Sequence, residues 1–226
     1  MRKIADYFDD IPDSLQYNEL LKKGIVQRVM TEKKIANTDY NREGVKEKLA
    51  LKYHHKCAYC EKTVTKYDDI EHFRPKAEIA EDKTHSGYYW LGFIWSNFLV
   101  ACNECNRTGA KGNKFPVTGK RIHVPNIDFK NPKSIDSFFT KCDIRTLESE
   151  GRLLLHPVLD NPDDHLEFKK NGSVAPKNGS AMGIASIEVY GLDDFTNRQE
   201  DLFKPRKAIV EQVEGEVEHS VLHFQN

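Results

Sequence analysis

The sequence lacks the features of a membrane-spanning or secreted protein. No run among its 226 residues approaches the roughly 18 consecutive apolar residues that a membrane-spanning helix requires. Residues 1–6 carry charges at the place where a secretory signal would begin its apolar stretch. These absences argue against a membrane partner, and we expect a cytoplasmic protein.

The chain also lacks a strong charge of one sign, an internal repeat and a low-complexity tract. Its formal net charge is −1, whereas phosphate contacts from Lys and Arg supply much of the affinity of most nucleic-acid-binding proteins. The charge is uneven, because residues 52–121 hold 12 Lys and Arg against 8 Asp and Glu, a local balance of +4. We therefore expect weak unaided binding to nucleic acid through this segment, with a partner supplying further affinity.

Cysteine is scarce, but four of the five cysteines form two tight pairs. These are the C-x-x-C pairs Cys57/Cys60 and Cys102/Cys105, with 41 residues between them. The spacing favours metal-binding knuckles over a disulfide framework. Four thiolates leave no open coordination position, so the pattern predicts a structural zinc site; unliganded core cysteines are the alternative. The fifth, Cys142, is expected to be a small buried hydrophobic residue.

Helical patterns dominate the first segment, residues 1–50. Apolar residues recur at helical spacing over residues 14–23 and 25–36, with Gly24 as a break, and a further helix is predicted over residues 43–54. We interpret this segment as a helical extension, serving either as a scaffold or as a docking surface for another subunit.

The second segment, residues 51–120, contains the cysteine pairs. Short strands are predicted at residues 63–65 and 70–73 with a turn at 66–69, and a short helix at 103–109. The aromatic run at 88–95 predicts a buried helical turn.

The third segment, residues 121–226, mixes strand and helix patterns. Residues 119–160 read as an extended connector. Asn171-Gly172 lies between two strand-like runs and predicts a hairpin, with a helix following at 181–190. A long amphipathic helix is predicted from 193 to about 217, kinked or restarted at Pro205.

Between the cysteine pairs the chain resembles the HNH endonucleases with their ββα-metal fold. The resemblance rests on Glu71-His72, on Asn97 and on Asn106, which directly follows the last cysteine of the second pair. The wider pattern, over roughly residues 50–200, resembles the nucleases of bacterial anti-phage systems of the Septu and retron-associated type. The residues that carry it include Glu71-His72-Phe73-Arg74-Pro75-Lys76, Gly87-Tyr88-Tyr89-Trp90-Leu91, Trp95-Ser96-Asn97, Phe115-Pro116, Leu153-Leu154-Leu155-His156-Pro157 and Ile187-Glu188-Val189-Tyr190-Gly191-Leu192.

The resemblance implies an α+β fold: a ββα-metal (HNH) core with two zinc knuckles between helical extensions. It implies that Glu71 and Asn106 bind a catalytic ion and that Asn97 ties the loop that aims the histidine. Carboxylate and amide oxygens are hard ligands, so Mg²⁺ or Mn²⁺ is expected. His72 is suited to act as general base on water, its ring oriented by a carbonyl of a strand neighbour or of Asn97.

Three cations near these residues, Arg74, Arg107 and Lys111, are candidates for phosphate contacts; a solvated surface role is the alternative for each. The resemblance further implies DNA as substrate, an ATPase subunit as partner and, in some systems, a retron reverse transcriptase with its RNA–DNA hybrid. A stand-alone HNH restriction-type nuclease and a non-catalytic zinc module that binds nucleic acid or protein remain alternatives. A pure binding module would not require the set Glu71, His72 and Asn106.

Overall fold

The computed structural model describes residues 1–65, 68–107 and 109–224, with side chains described up to residue 217. The α-helices are α1 (Tyr17–Lys22), α2 (Ile25–Glu32), α3 (Asn37–Tyr40), α4 (Val45–Lys52), α5 (Asn103–Asn106), α6 (Pro132–Cys142), α7 (Ala181–Tyr190) and α8 (Lys204–Phe224). The strands are β1 (Asp69–His72), β2 (Phe98–Ala101), β3 (Leu166–Phe168) and β4 (Val174–Pro176). Short 3₁₀ turns lie at Asp13–Leu15, Tyr89–Leu91, Trp95–Asn97, Ile144–Thr146, Glu148–Glu150, Pro162–Asp164 and Lys177–Gly179, and a π-helical turn at Gln199–Phe203. No helix in these described ranges is long and apolar enough to cross a membrane.

The N-terminal segment is helical, as predicted. Gly24 separates α1 from α2 with a φ of 65°, a left-handed conformation that glycine adopts without steric penalty. Val26 and Val29 on α2 are fully buried, which explains the helical spacing of the apolar residues. Helix α2 ends at Glu32, four residues earlier than predicted, because Lys33 takes a left-handed conformation.

The sheet in the middle segment pairs β1 with β2 in antiparallel register, and α5 follows directly. His72 lies opposite Phe98, and Asp69 lies opposite Ala101. The predicted strand at 63–65 is not a partner of β1; within the described residues Thr63 forms only an isolated bridge with Lys56. The strand β1 pairs instead with the apolar strand β2, and 25 residues separate the two strands in the sequence. The predicted turn at 66–69 includes residues 66 and 67, which lie outside the described residues.

One helix in the C-terminal segment contradicts the predicted extended connector. Helix α6 begins where the side chain of Asn131 accepts a hydrogen bond from Lys133 N and Pro132 occupies the first turn. It buries Phe138 and Cys142, which lie four residues apart on one face. The prediction for Cys142 is therefore confirmed, whereas the predicted connector is wrong over residues 132–142.

The remaining C-terminal predictions are largely confirmed. β3 and β4 form the expected hairpin around Gly172, whose φ is 86°. Helix α7 ends where Gly191 turns left-handed. The last helix differs from its prediction: residues 193–198 form turns and coil, and the helix begins only with the π-helical turn at Gln199, continues as α8 from Lys204 and ends at Phe224.

Buried residues from all three segments belong to one continuous hydrophobic cluster. The aromatic run at 88–95 lies inside it, and its tyrosines and tryptophans are almost inaccessible to solvent. These rings therefore pack in the core, as the predicted buried turn implies. The segment boundaries at 50 and 120 stay predictions drawn from the sequence.

Candidate functional site

The four cysteines of the two pairs converge on one point. Their Sγ atoms all lie within 4.8 Å of one another, and the Cys60 and Cys102 sulfurs are 3.7 Å apart. A tetrahedron of thiolates with zinc–sulfur bonds of about 2.3 Å has edges of about 3.8 Å. All four cysteines are buried. The cluster therefore fits a structural zinc ion, as the spacing predicts.

Residues far away in the sequence complete the surroundings of this cluster. Arg198 donates a hydrogen bond from Nη1 to Cys105 Sγ at 3.3 Å and forms an ion pair with Asp201 at 2.7 Å. Lys62 of the first knuckle pairs with Glu104 of the second at 3.1 Å. Hydrogen bonds to metal-ligating sulfurs orient them and offset their charge. No sequence signal pointed to Arg198, because it lies 93 residues beyond its sulfur partner.

Glu71 and His72 are neighbours on β1, and their side chains have different surroundings. Successive side chains of a strand point to opposite faces of the sheet. The Glu71 carboxylate accepts from Lys111 Nζ at 2.6 Å and from the Tyr59 hydroxyl at 3.3 Å. Burial raises the pKa of Glu71, and the nearby Lys111 ammonium opposes that rise.

His72 lies in an aromatic pocket on the other side. Its Nε2 is 3.0 Å from the carbonyl oxygen of Gly92. Its ring packs edge-to-face with the rings of Tyr40 and Phe98, at centroid distances of 4.6 and 5.1 Å. Burial holds the pKa of His72 well below its usual value, so the imidazole is neutral at physiological pH. A carbonyl does orient the ring, but it belongs to Gly92 and not to a strand neighbour or Asn97.

Asn97 is fully buried and bonds only backbone atoms among the described residues. Its Oδ1 accepts from Arg74 N at 2.8 Å, and its Nδ2 donates to the carbonyls of Arg74 and Leu91 at 3.1 and 3.3 Å. This is the contact pattern expected of a loop-tying residue.

Asn106 ends α5 beside the zinc cluster and is half-buried, and Arg107 after it is exposed. Among the described residues, no hydrogen bond joins the side chains of Glu71, His72 and Asn106 to one another. The convergence of these three side chains on one catalytic centre stays a prediction.

The structure places two of the three candidate phosphate-binding cations inside the protein. Arg74 is 0% exposed and pairs with Glu150 at 2.9 Å. Lys111 is also 0% exposed. Neither side chain faces solvent, so neither meets a phosphate in this conformation; Arg107 alone among the three is exposed.

The oxygen atoms around Lys111 form a cation site. Its Nζ lies 2.6 Å from the Glu71 carboxylate, 3.0 Å from the His72 carbonyl and 3.3 Å from the Gly112 carbonyl. Carboxylate and carbonyl oxygens are the ligands that hard divalent cations take. The donor set therefore suits such a cation, and an ammonium group stands in its place.

Comparison with known proteins gives two similar chains, both from Bacillus mycoides (strain KBAB4). The chain is 36% identical to Septu protein PtuB over 183 residues, which is 77% of this chain and 54% of PtuB. It is 30% identical to Septu protein PtuA over 193 residues, which is 83% of this chain and 22% of PtuA. The chain thus spans about half the length of the first relative and about a fifth of the second. No family model matches it. On these similarities the chain is homologous to the Septu proteins PtuB and PtuA.

Proposed function

We propose that the chain is a metal-dependent HNH endonuclease that hydrolyses DNA phosphodiester bonds as part of an anti-phage Septu system. The observation that supports this most is the order β1, β2, α5 around one cysteine cluster, with His72 at the end of β1 and Asn106 at the end of α5. A ββα unit of this order is what the HNH resemblance implies.

His72 is the proposed general base. A carbonyl oxygen only accepts hydrogen bonds, so the contact with Gly92 assigns the proton of the neutral ring to Nε2. Nδ1 then carries the free lone pair that takes a proton from water. The lowered pKa of His72 keeps this nitrogen unprotonated at neutral pH.

Glu71 and Asn106 are the residues proposed to hold Mg²⁺ or Mn²⁺. Such an ion, when bound, would offset charge on the phosphoryl oxygens and help the leaving oxygen. Asn97 is a positioning residue, because it fixes the backbone on either side of the histidine loop. Arg107 is exposed next to Asn106 and is the cation best placed for a phosphate contact.

A second Septu protein is the proposed partner. The two relatives bear the names of two different Septu proteins, PtuB and PtuA, and the sequence resemblance implies that the partner is an ATPase. A net charge of −1 supports a nuclease whose grip on DNA depends on such a partner. A retron reverse transcriptase with its RNA–DNA hybrid is a further partner class that the resemblance implies.

The test is nicking of supercoiled plasmid by the zinc-loaded protein, alone and with the proposed ATPase partner, in Mg²⁺ or Mn²⁺. We expect cleavage by the wild type and none by His72→Ala or Asn106→Ala. His54→Ala serves as the matched control, because His54 is exposed and outside the proposed centre. Cleavage that His72→Ala leaves unchanged would remove the general base and with it the proposed mechanism.

The same assay separates the alternatives. A stand-alone restriction-type nuclease would bind and cut plasmid tightly without the ATPase, which the near-neutral charge disfavours. A non-catalytic zinc module would bind nucleic acid or the partner and leave plasmid intact under every condition.

A further inference from the structure

Lys111 is a fully enclosed cation in contact with the proposed catalytic centre. Its ammonium group has three hydrogen-bond donors, and the structure gives it three oxygen acceptors: the Glu71 carboxylate and the carbonyls of His72 and Gly112. The side chain is 0% exposed. All three donors of this ammonium group therefore have acceptors, and one of the acceptors is the carboxylate proposed to bind the catalytic ion.

A lysine ammonium and a divalent cation repel each other when both contact the same carboxylate. Two like charges a few ångström apart repel strongly at the effective dielectric constant of a protein site. The repulsion is larger for a doubly charged ion. Contact of either one with Glu71 therefore weakens the binding of the other, and the lysine competes with the ion.

We propose that Lys111 is an internal competitor of the catalytic ion: it occupies the Glu71 site in the metal-free protein and leaves it when the ion binds. The inference rests on the proposed function, because it takes Glu71 as a ligand of that ion. Lys111 is thereby a positioning residue that holds Glu71 and the end of β1 in place, and it sets the ion concentration at which the centre becomes active.

The chain around Lys111 is built in a way that permits this exchange. Gly109 and Gly112 flank it with φ values of 99° and 44°, both left-handed. A side chain added at Gly109 would meet nothing within 4 Å, so there is open space beside this residue. The backbone N of Lys111 is anchored to the Cys105 carbonyl at 3.1 Å. The side chain can therefore leave while the zinc knuckle stays in place.

The first experiment measures Mn²⁺ binding without DNA. Zinc-loaded protein is titrated with Mn²⁺ at pH 8, and free Mn²⁺ is followed by electron paramagnetic resonance. In Lys111→Met the competitor is gone, and we expect the dissociation constant for Mn²⁺ to fall by on the order of tenfold or more, since affinity is reduced by the fraction of protein in which the site is free. Lys114→Met is the matched control, because Lys114 lies in the same loop and its Nζ donates to the Gly109 carbonyl.

An unchanged or weaker Mn²⁺ affinity in Lys111→Met, with zinc content retained, would overturn the proposal. It would mean that Lys111 does not compete for Glu71. A loss of Mn²⁺ binding in Glu71→Gln is expected as well, and binding that survives this change would also overturn it.

A second experiment uses the wild-type protein, so it does not depend on how the variants fold. Lysines are labelled by reductive methylation with and without Mg²⁺ and located by mass spectrometry. We expect Lys111 to be protected in the metal-free protein and several times more reactive with Mg²⁺, while Lys114 stays constant. Equal protection of Lys111 in both conditions would contradict the exchange. Both experiments are read without cleavage, so they can fail while plasmid nicking succeeds, and the reverse.

Discussion

The side chain of Asn97 makes two hydrogen bonds with the backbone of Arg74: it accepts from the N–H at 2.8 Å and donates to the carbonyl at 3.1 Å. The backbone of Asn97 adds a third link, because its carbonyl accepts from Phe73 N at 2.9 Å. The same residue reaches the carbonyl of Leu91, next to the Gly92 carbonyl that holds the His72 ring. One buried amide thus fixes both the chain after the histidine and the turn that orients it.

Asn97→Ala is expected to destabilise the protein by about 2 to 4 kcal/mol, because it leaves buried backbone groups without partners. Chemical denaturation of the zinc-loaded protein measures the effect. Asn113→Ala is the control, since Asn113 is exposed. If Asn97→Ala lost no more free energy of unfolding than the control, the hydrogen bonds of the Asn97 side chain would not be needed for the fold.

The buried ion pair between Arg74 and Glu150 yields a second prediction. Glu150 also accepts from the Tyr88 hydroxyl at 2.5 Å and from Ile122 N at 3.0 Å. Arg74→Met is expected to lower the free energy of unfolding by about 3 to 5 kcal/mol, because it leaves a buried carboxylate without its counter-charge.

Combining Arg74→Met with Glu150→Gln tests the cause. The double variant is expected to be more stable than the sum of the single losses predicts, by at least about 1 kcal/mol. Strict additivity would mean that the two side chains do not act as a pair. Arg74 would then be maintained for some purpose other than this contact.

Local signals account for the parts of the fold that the sequence predicts well. The C-x-x-C spacing located the cysteine cluster, and Gly24 and Asn171-Gly172 located two turns, because each depends on backbone geometry within a few residues. The start of α6 was signalled by Asn131-Pro132 in the same way. The Pro- and Asn-rich composition around it nevertheless favours a connector, which is why residues 119–160 are predicted to be extended.

Contacts between distant residues could not be predicted. The pairing of β1 with β2 depends on which apolar run fits the core. The sequence also contains a nearer strand-like run at residues 63–65, and local patterns do not distinguish the two. The burial of Arg74 and Lys111 depends on carboxylates 76 and 40 residues away. A cation in a basic segment is on average exposed, so composition favoured a phosphate contact that this conformation does not offer.

Loss of a zinc ligand is expected to unfold the middle segment. In Cys102→Ser the shell is incomplete, and the free energy that zinc binding contributes to folding is withdrawn. We expect the zinc content to fall below one ion per chain and the melting temperature to drop by more than about 10 °C, as expected for a loss of several kcal/mol in a chain of this size. Cys142→Ser is the control, because Cys142 is equally buried but outside the cluster. Full zinc content with an unchanged melting temperature in Cys102→Ser would argue against the zinc shell.

His156 gives a prediction for the pH dependence of stability. Burial, with a smaller effect from nearby Arg152, holds the pKa of His156 well below its usual value. The unfolded chain therefore takes up a proton near the usual pKa of about 6.5, while the folded chain does not. Stability from the neutral ring is fully present above that pH and is lost as the pH falls below it, by up to about 1.4 kcal/mol per pH unit.

His156→Gln removes this proton uptake, so its free energy of unfolding should fall less steeply than that of the wild type between about pH 6.5 and pH 5. Urea denaturation at several pH values measures the slopes. His54→Gln is the control, because His54 is exposed. Parallel slopes for His156→Gln and wild type would mean that the ring is protonated in the folded state as well.

Tyr40 covers the proposed general base from the N-terminal segment. Its ring lies 4.6 Å from the His72 ring in an edge-to-face arrangement, and its hydroxyl accepts from Lys76 Nζ at 2.7 Å. His72 is 5% exposed under this cover. Tyr40→Ala is expected to raise the rate at which diethylpyrocarbonate modifies His72 severalfold, measured by mass spectrometry of the peptide, because the imidazole then gains access to solvent.

Tyr40→Phe separates the cover from the Lys76 contact. It keeps the ring over His72 and removes only the hydroxyl, so the modification rate should stay near that of the wild type. If Tyr40→Phe exposed His72 as much as Tyr40→Ala does, the hydrogen bond to Lys76, and not the Tyr40 ring, would keep the N-terminal segment packed over His72. If neither variant changed the rate, Tyr40 would not limit access to His72, and water would have to reach Nδ1 by a path that avoids the N-terminal segment.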